Sequence, residues 1–320
     1  MNSKVFESFY ITVALLLPLS LILGPAISDI SIVILGIIYI SICIKNNHYK
    51  EFINYYFFIF VIFCAFLICT SLLSQNIFFS LESSLFYFRF GIFAMSINYI
   101  LCNYNYFSKY FFYSIIFCFI ILSIDSIIEF IFQNNILSFF RDEYIKSYGR
   151  ISSLFGDEYI LGSYFIRLLP ILCALSIINF KHKFRNLQLI LIISISSLII
   201  FISGERTALA MLLIFLLMIF MIFRKYQKLF LVSIIIFSFL ALISLILNSQ
   251  LKDRILNNTP TQINLDIKNL NINFFSIQHE VVYQTSFKII QDYYLFGVGT
   301  KMFREICKEE KYKTYTKLDG

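Results

Sequence analysis

The segment Ser203-Gly204-Glu205-Arg206-Thr207 brings hydroxyl, glycine, carboxylate and guanidinium into one short turn between two apolar runs. Ser203 is predicted as the N-cap of the helix that follows. A helix start offers unpaired N–H groups and the positive end of the dipole to an anion. Arg206 adds a permanent charge and a two-pronged donor fork. Ser203, Gly204 and Arg206 therefore make a candidate phosphate site that needs no metal. The plainer alternative is an interfacial arginine that snorkels to water. A second element, Gly149-Arg150-Ile151-Ser152-Ser153-Leu154-Phe155-Gly156-Asp157-Glu158, leads straight into another apolar run. Arg150 could serve the same anion or simply be a solvated loop arginine. His279, in the polar C-terminal stretch, could bind phosphate or pass a proton, although a lone histidine on a helix is more often without such a role. There is no Ser-His-Asp order, phosphate-binding loop motif, zinc motif or GxGxxG. Neither a metal nor a cofactor is expected.

Charged residues also fall inside apolar runs. Arg89 and Arg167 lie within two of them, and Glu82, Asp125 and Glu129 sit toward the ends of theirs. Arg167 is expected roughly 12 Å from the end of its helix at about 1.5 Å per residue. Such groups cost a few kcal/mol if left facing lipid, so they should face the helix bundle or a wet cavity. Pairing of Arg89 with Glu82 or Asp125 is one resolution, and a polar cavity is the other.

The elements that must carry these residues are membrane spans. Hydrophobic residues make up 59% of the chain and charged residues 14%. A soluble domain is nearer 45–50% and 25%, so this chain has too little polar surface to cover a core in water. Runs near 8–25, 27–44, 52–73, 77–101, 107–133, 159–179, 187–203, 205–223 and 229–248 are apolar enough to cross a bilayer. The predicted fold is all-α: a polytopic transmembrane helical bundle of about nine spans over residues 1–248. A partly helical large loop follows over 249–320. The net charge of +7 orients the chain in the bilayer and does not imply nucleic acid. With the N-terminus in the cytoplasm, short loops on that side hold ten Lys and Arg. The other side holds four, at Arg141, Lys146, Arg150 and Arg206. That bias favours a cytoplasmic N-terminus and an external loop after residue 249. Six cysteines lie in or beside apolar runs and are read as small buried hydrophobes. Cys307 is alone in the external segment and is expected to pair with a cysteine outside this sequence.

In sequence the loop GRISSLFGDEYILGSY, the turn SGERTA and the stretch QHEVVYQTSFKIIQDYYLFGVGTKMF resemble the O-antigen ligase family of bacterial membrane glycosyltransferases. That family also includes polysaccharide polymerases. The resemblance is carried from about residue 150 onward, and by topology alone before that. It implies transfer of an undecaprenyl-diphosphate-linked glycan to a sugar hydroxyl of lipid A-core at the periplasmic face of the inner membrane. It implies that Arg206, with Arg150, Ser203 and Gly204, holds the donor diphosphate. His279 stands nearest the position of a further loop arginine of the family. The family's catalytic histidine lies after the GxG segment, in a motif not found before Gly320. The resemblance therefore implies a C-terminally truncated member that binds donor without transfer. A polymerase would share the donor chemistry and use a growing glycan as acceptor. A lipid-linked glycan flippase would instead require inverted repeats and discontinuous helices, which the sequence does not suggest.

Overall fold

A computed structural model describes residues 3–47, 52, 54–136, 149–258 and 277–313. Among the described residues all regular structure is helical. The first elements are α1 (Ser3–Leu15), α2 (Leu17–Leu23), α3 (Pro25–Asn46), α4 (Tyr55–Leu72), α5 (Ile77–Leu85), α6 (Phe88–Asn103) and α7 (Phe107–Phe132). They are followed by α8 (Leu161–Asn179), α9 (His182–Ile202), α10 (Arg206–Ile222) and α11 (Gln227–Leu247). The short α12 (Ser249–Lys252), α13 (Ile277–Asp292) and α14 (Phe303–Ile306) complete the series.

Seven helices are long and apolar enough to cross a membrane, or eight if the bent α1–α2 pair is one span. The chain is a multi-pass membrane protein. Each of the nine apolar runs has a helical counterpart, but three depart from simple spans. The first run is bent by 54° between α1 and α2. The eighth, α10, has 17 residues, at the lower limit for a crossing, and is not among the seven. The fourth run passes as one span yet is divided into α5 and α6 at Phe86–Tyr87.

Contacts divide the chain into two units: residues 1–31 with 100–259, and 32–99 with 260–320. In the first unit, α7 to α11 enclose a core that includes Phe112, Ile115, Phe165, Leu169, Leu172, Ile193 and Leu212. Phe119 and Phe165 meet at 4.3 Å between ring centroids. Buried Ser194, Ser197 and Ser233 keep the α9 and α11 surfaces small. The Ser194 hydroxyl donates to Ser233 O at 3.4 Å. Lipid-immersed helices associate through such small residues, because burying apolar groups gains little from lipid. The large apolar side chains left exposed, such as Leu217 and Met221 on α10 and Ile246 on α11, suit a hydrocarbon solvent.

In the second unit, Gly36 packs on Ile92 and Gly91 packs on the Phe60 ring. Ser96 Oγ donates to Leu35 O at 3.4 Å. The later residues of this unit form a small core of Ile289, Met302, Ile306 and Tyr312. The helix expected near 277–290 is α13, and the chain turns after it at Gly297 and Gly299, both with positive φ. There the Thr300 hydroxyl donates to Ser80 O at 2.7 Å and lies 3.2 Å from Ser71 Oγ. A Cβ at Gly299 would come within 2.7 Å of Ser74 Cβ and 2.8 Å of Ser80 Oγ. Glycine is required at that position by both the close approach and the backbone angle.

Of the six cysteines expected to be buried, Cys69 and Cys102 are exposed. They lie on helix faces that suit lipid, where a thiol needs no protein cover. Cys307 is half-buried and forms no disulfide among the described residues. Arg141 and Lys146 lie outside the described residues.

Candidate functional site

One end of the first unit is organised by carboxylates. Asp125 and Glu129 lie one helical turn apart near the end of α7, at 0% and 3% exposure. Glu129 accepts from the backbone N–H groups of Ser152 at 3.3 Å and Ser153 at 2.6 Å. Asp125 accepts from Ile136 N at 2.7 Å and Ser153 Oγ at 2.6 Å. Asn135 Nδ2 donates to Ser153 O at 3.0 Å. These bonds hold Ser153 at φ 53°, in the left-handed region a serine seldom adopts. The expected pairing of Asp125 with Arg89 gives way here. Its oxygens instead fix the loop that carries Arg150.

A second carboxylate clamps the neighbouring turn. Ser203 was expected to cap α10. It instead follows the last residue of α9, is 1% exposed, and donates through Oγ to Ile200 O at 2.7 Å. Glu205 occupies the capping position of α10. Its side chain reaches the start of α8, accepting from Ser163 N at 2.5 Å and Ser163 Oγ at 3.1 Å. Those amides have no partner within their own helix, so an anion there satisfies donors and opposes the helix dipole favourably. A Cβ on Gly162 would come within 2.6 Å of Glu205 Oε2 and 2.7 Å of Ser203 Oγ, so only glycine lets the turn close on α8. The start of α8 at Leu161 puts Arg167 about 9 Å along it at about 1.5 Å per residue. Arg167 is exposed and acts electrostatically on Glu205.

Two glycines bring the loop and the turn together. Ile151 N donates to Ser203 O at 3.3 Å. Gly204 has φ 68° and Gly149 has φ 66°. A Cβ on Gly204 would fall 2.5 Å from Gly149 O, and one on Gly149 would fall 3.0 Å from Gln250 O. The backbone approach thus joins three segments: the loop before α8, the turn before α10, and the residues after α11. Arg254, in the last of these, donates from Nε to Gly204 O at 3.1 Å.

Arg150, Arg206 and Arg254 are gathered at this junction, and all three are half-buried. Arg150 lies over the Tyr159 ring at 5.5 Å, and its buried Nε has no hydrogen-bond partner among the described residues. Burial first, then the charges of Arg150 and Arg206, push the Arg254 guanidinium down to about 10. Like charge is therefore concentrated where solvation is reduced, and an incoming anion would relieve both penalties. A small cavity beside Arg150 and Gly149 shares Phe130, Gln133, Asn248 and Gln250 with a wider one of about 380 Å3. The wider cavity is also lined by Ile131 and Leu247. Polar amides and membrane-helix apolar side chains meet along it.

Of the residues proposed from sequence, Arg150, Gly204 and Arg206 come together. Ser203 shapes the turn from inside. His279 is exposed on α13, in the second unit. Arg254 was missed, and the available signal was its place directly after an apolar run on the same side as Arg206. Among the described residues no group of His, Cys, Asp and Glu could hold a metal. Comparison of the chain with known protein families, characterised proteins and solved structures gives no match.

Proposed function

We propose that this chain handles an undecaprenyl-diphosphate-linked glycan at the periplasmic face of the bacterial inner membrane, as a glycosyltransferase of the O-antigen ligase type. The observation that carries the reading is the junction of Arg150, Arg206 and Arg254 around Gly149 and Gly204. Three guanidiniums meet there, while the Glu205 carboxylate is already engaged by Ser163. A diphosphate matches that charge, and guanidiniums bind its oxygens in pairs. The adjoining cavity, half amide and half apolar, suits a ligand whose headgroup is attached to a lipid.

The chemistry follows from the leaving group. A sugar hydroxyl of lipid A-core attacks the anomeric carbon, and the bond to the diphosphate oxygen breaks. The electron pair leaves with the diphosphate, whose developing charge Arg206 and its neighbours stabilise. The hydroxyl proton passes to a base, which the resemblance puts after the GxG segment. The binding of the donor, not the base, distinguishes this reading.

The test is retention of lipid-linked donor by the chain in proteoliposomes. Arg206→Ala should abolish donor retention, and Arg206→Lys should keep part of it. Wild-type behaviour of both variants would remove Arg206 from the site.

A further inference from the structure

We infer that α13 and the turn after it dock on the bilayer surface beside the α4–α5 turn, through Phe287, Ile290, Tyr294, Leu295 and Phe296. All five side chains are more than half exposed. Phe287, Ile290 and Tyr294 recur at three and four residues, so they form one seam along α13 that runs into the turn. Thr285 and Ile289 occupy another face and are buried, Ile289 in the small core with Met302, Ile306 and Tyr312. Turns are ordinarily built from small or polar residues. A tip of three consecutive large apolar side chains left in water is costly, at about 25 cal/mol per Å2.

The anchoring of this segment to two spans identifies the occupant as lipid. The spans Tyr55–Leu72 and Ile77–Asn103 end and begin at the α4–α5 turn, so that turn marks the level at which both leave the bilayer. Gln75, within it, donates from Nε2 to Tyr293 OH at 3.3 Å and to Glu309 Oε1 at 3.2 Å. Thr300 donates to Ser80 O at 2.7 Å and lies 3.2 Å from Ser71 Oγ. Ser80 is three residues into its span, about 4.5 Å at about 1.5 Å per residue. Residues 294–296 lie between these two anchors, each within three residues of Tyr293, or ~10 Å of fully extended chain. They are therefore held at the level of the interfacial layer, which amphipathic helices enter by about 5–10 Å. Gly297 N closes the turn on Tyr293 O at 2.9 Å, so that amide is satisfied before the tip meets lipid. Leu73, Ile77 and Phe78, at the α4–α5 turn, are exposed as well, and they continue the apolar surface onto the lipid-facing sides of the spans. Tyrosine is enriched at this level, with its ring in the apolar layer and its hydroxyl among headgroups. A protein partner or a second copy would have to fit a face already set beside the headgroups.

The chain has no tryptophan, so a single introduced indole reports its own surroundings. The experiment is fluorescence of Phe287→Trp and Leu295→Trp, each in the full chain, in phosphatidylcholine nanodiscs holding one copy, with bromine on the upper acyl carbons. Both should lose at least about half of their emission relative to unbrominated discs, because the apolar face of an interfacial helix enters about 5–10 Å, to the depth of those carbons. Phe66→Trp, on an exposed side of α4, marks the loss for a side chain in lipid. Lys308→Trp, exposed beside Glu305, should keep its emission. Absence of quenching at Phe287→Trp or Leu295→Trp, or equal quenching of Lys308→Trp, would overturn the inference. Emission shifted to the blue without quenching would do the same, by putting protein on this face, whether a second copy or another chain.

Discussion

Replacing Arg254 by glutamine separates a binding role from a folding role. The substitution removes the bond from Nε to Gly204 O, which as a charged hydrogen bond contributes about 1.5–3 kcal/mol. It also removes a guanidinium that burial, Arg150 and Arg206 together hold down to about 10. Unscreened, that penalty is ~3 kcal/mol. Arg254 is half-buried, and solvent screening reduces the figure to ~1 kcal/mol. The two effects oppose each other, so Arg254→Gln should change stability by no more than ~1–2 kcal/mol. Anion binding has no such offset. Thermal unfolding in detergent with inorganic pyrophosphate measures it directly. At a hundredfold excess over Kd, a ligand specific to the folded state adds about 2.7 kcal/mol. The wild type should show that rise in Tm, and Arg254→Gln should lose most of it. A variant that unfolds easily yet keeps the full pyrophosphate response would refute the reasoning, because Arg254 would then serve the fold alone.

Other substitutions follow from the same geometry. Gly204→Ala should cost about 1–3 kcal/mol, from a left-handed φ and a Cβ beside Gly149 O, and should also lower the pyrophosphate response. Both effects can be read in one melting series. Glu205→Ala should destabilise the start of α8 by about 1–3 kcal/mol, because Ser163 N loses its acceptor. Glu205→Gln should recover much of that loss, and hydrogen exchange at Leu161–Phe165 would show the difference. Gly299→Ala should release the loop from Ser74 and Ser80, seen as faster exchange at 297–302.

The contact between Asp292, Lys311 and Tyr312 should depend on pH at both ends. Lys311 and the Tyr312 hydroxyl donate to Asp292 at 2.6 Å each. The hydrogen bond from Lys311, then that from Tyr312, lowers the Asp292 carboxyl. Its contribution is therefore complete above the ordinary carboxylate range and disappears as pH falls through the lowered value. Asp292 raises both Lys311 and Tyr312. Their contribution is complete below their ordinary values and disappears as pH rises through the raised ones. Amide protection at 310–312 should hold between those limits, and an acid loss at ordinary Asp values or higher would contradict the pairing.

The helices were legible because lipid demands long, uninterrupted apolar runs, and each run found its helix. The division at Phe86–Tyr87 was not, because neither proline nor glycine marks it. Arg150 and Arg206 could be nominated because each stands in a polar interruption beside a span. Arg254 could not be matched to them locally, since its partner Gly204 is fifty residues away in sequence. Asp125 and Glu129 were recognisable as costly buried charges, but the partners they chose were backbone amides. Side-chain charge patterns say nothing about those donors. Ser203 was misassigned for a related reason. The chain ends α9 at Ile202 and uses Glu205 to tie α10 to α8, a tertiary bond no local capping rule contains.

Affinity for undecaprenyl diphosphate, compared with undecaprenyl monophosphate, tests the arginine junction most directly. It can be measured by native mass spectrometry on the wild-type chain and on Arg150→Gln, Arg206→Gln and Arg254→Gln. The diphosphate should bind more tightly than the monophosphate, and each variant should weaken it by about tenfold or more. Equal affinity for the two lipids, or diphosphate binding unchanged in all three variants, would contradict a donor-diphosphate site at Gly149, Gly204 and their arginines.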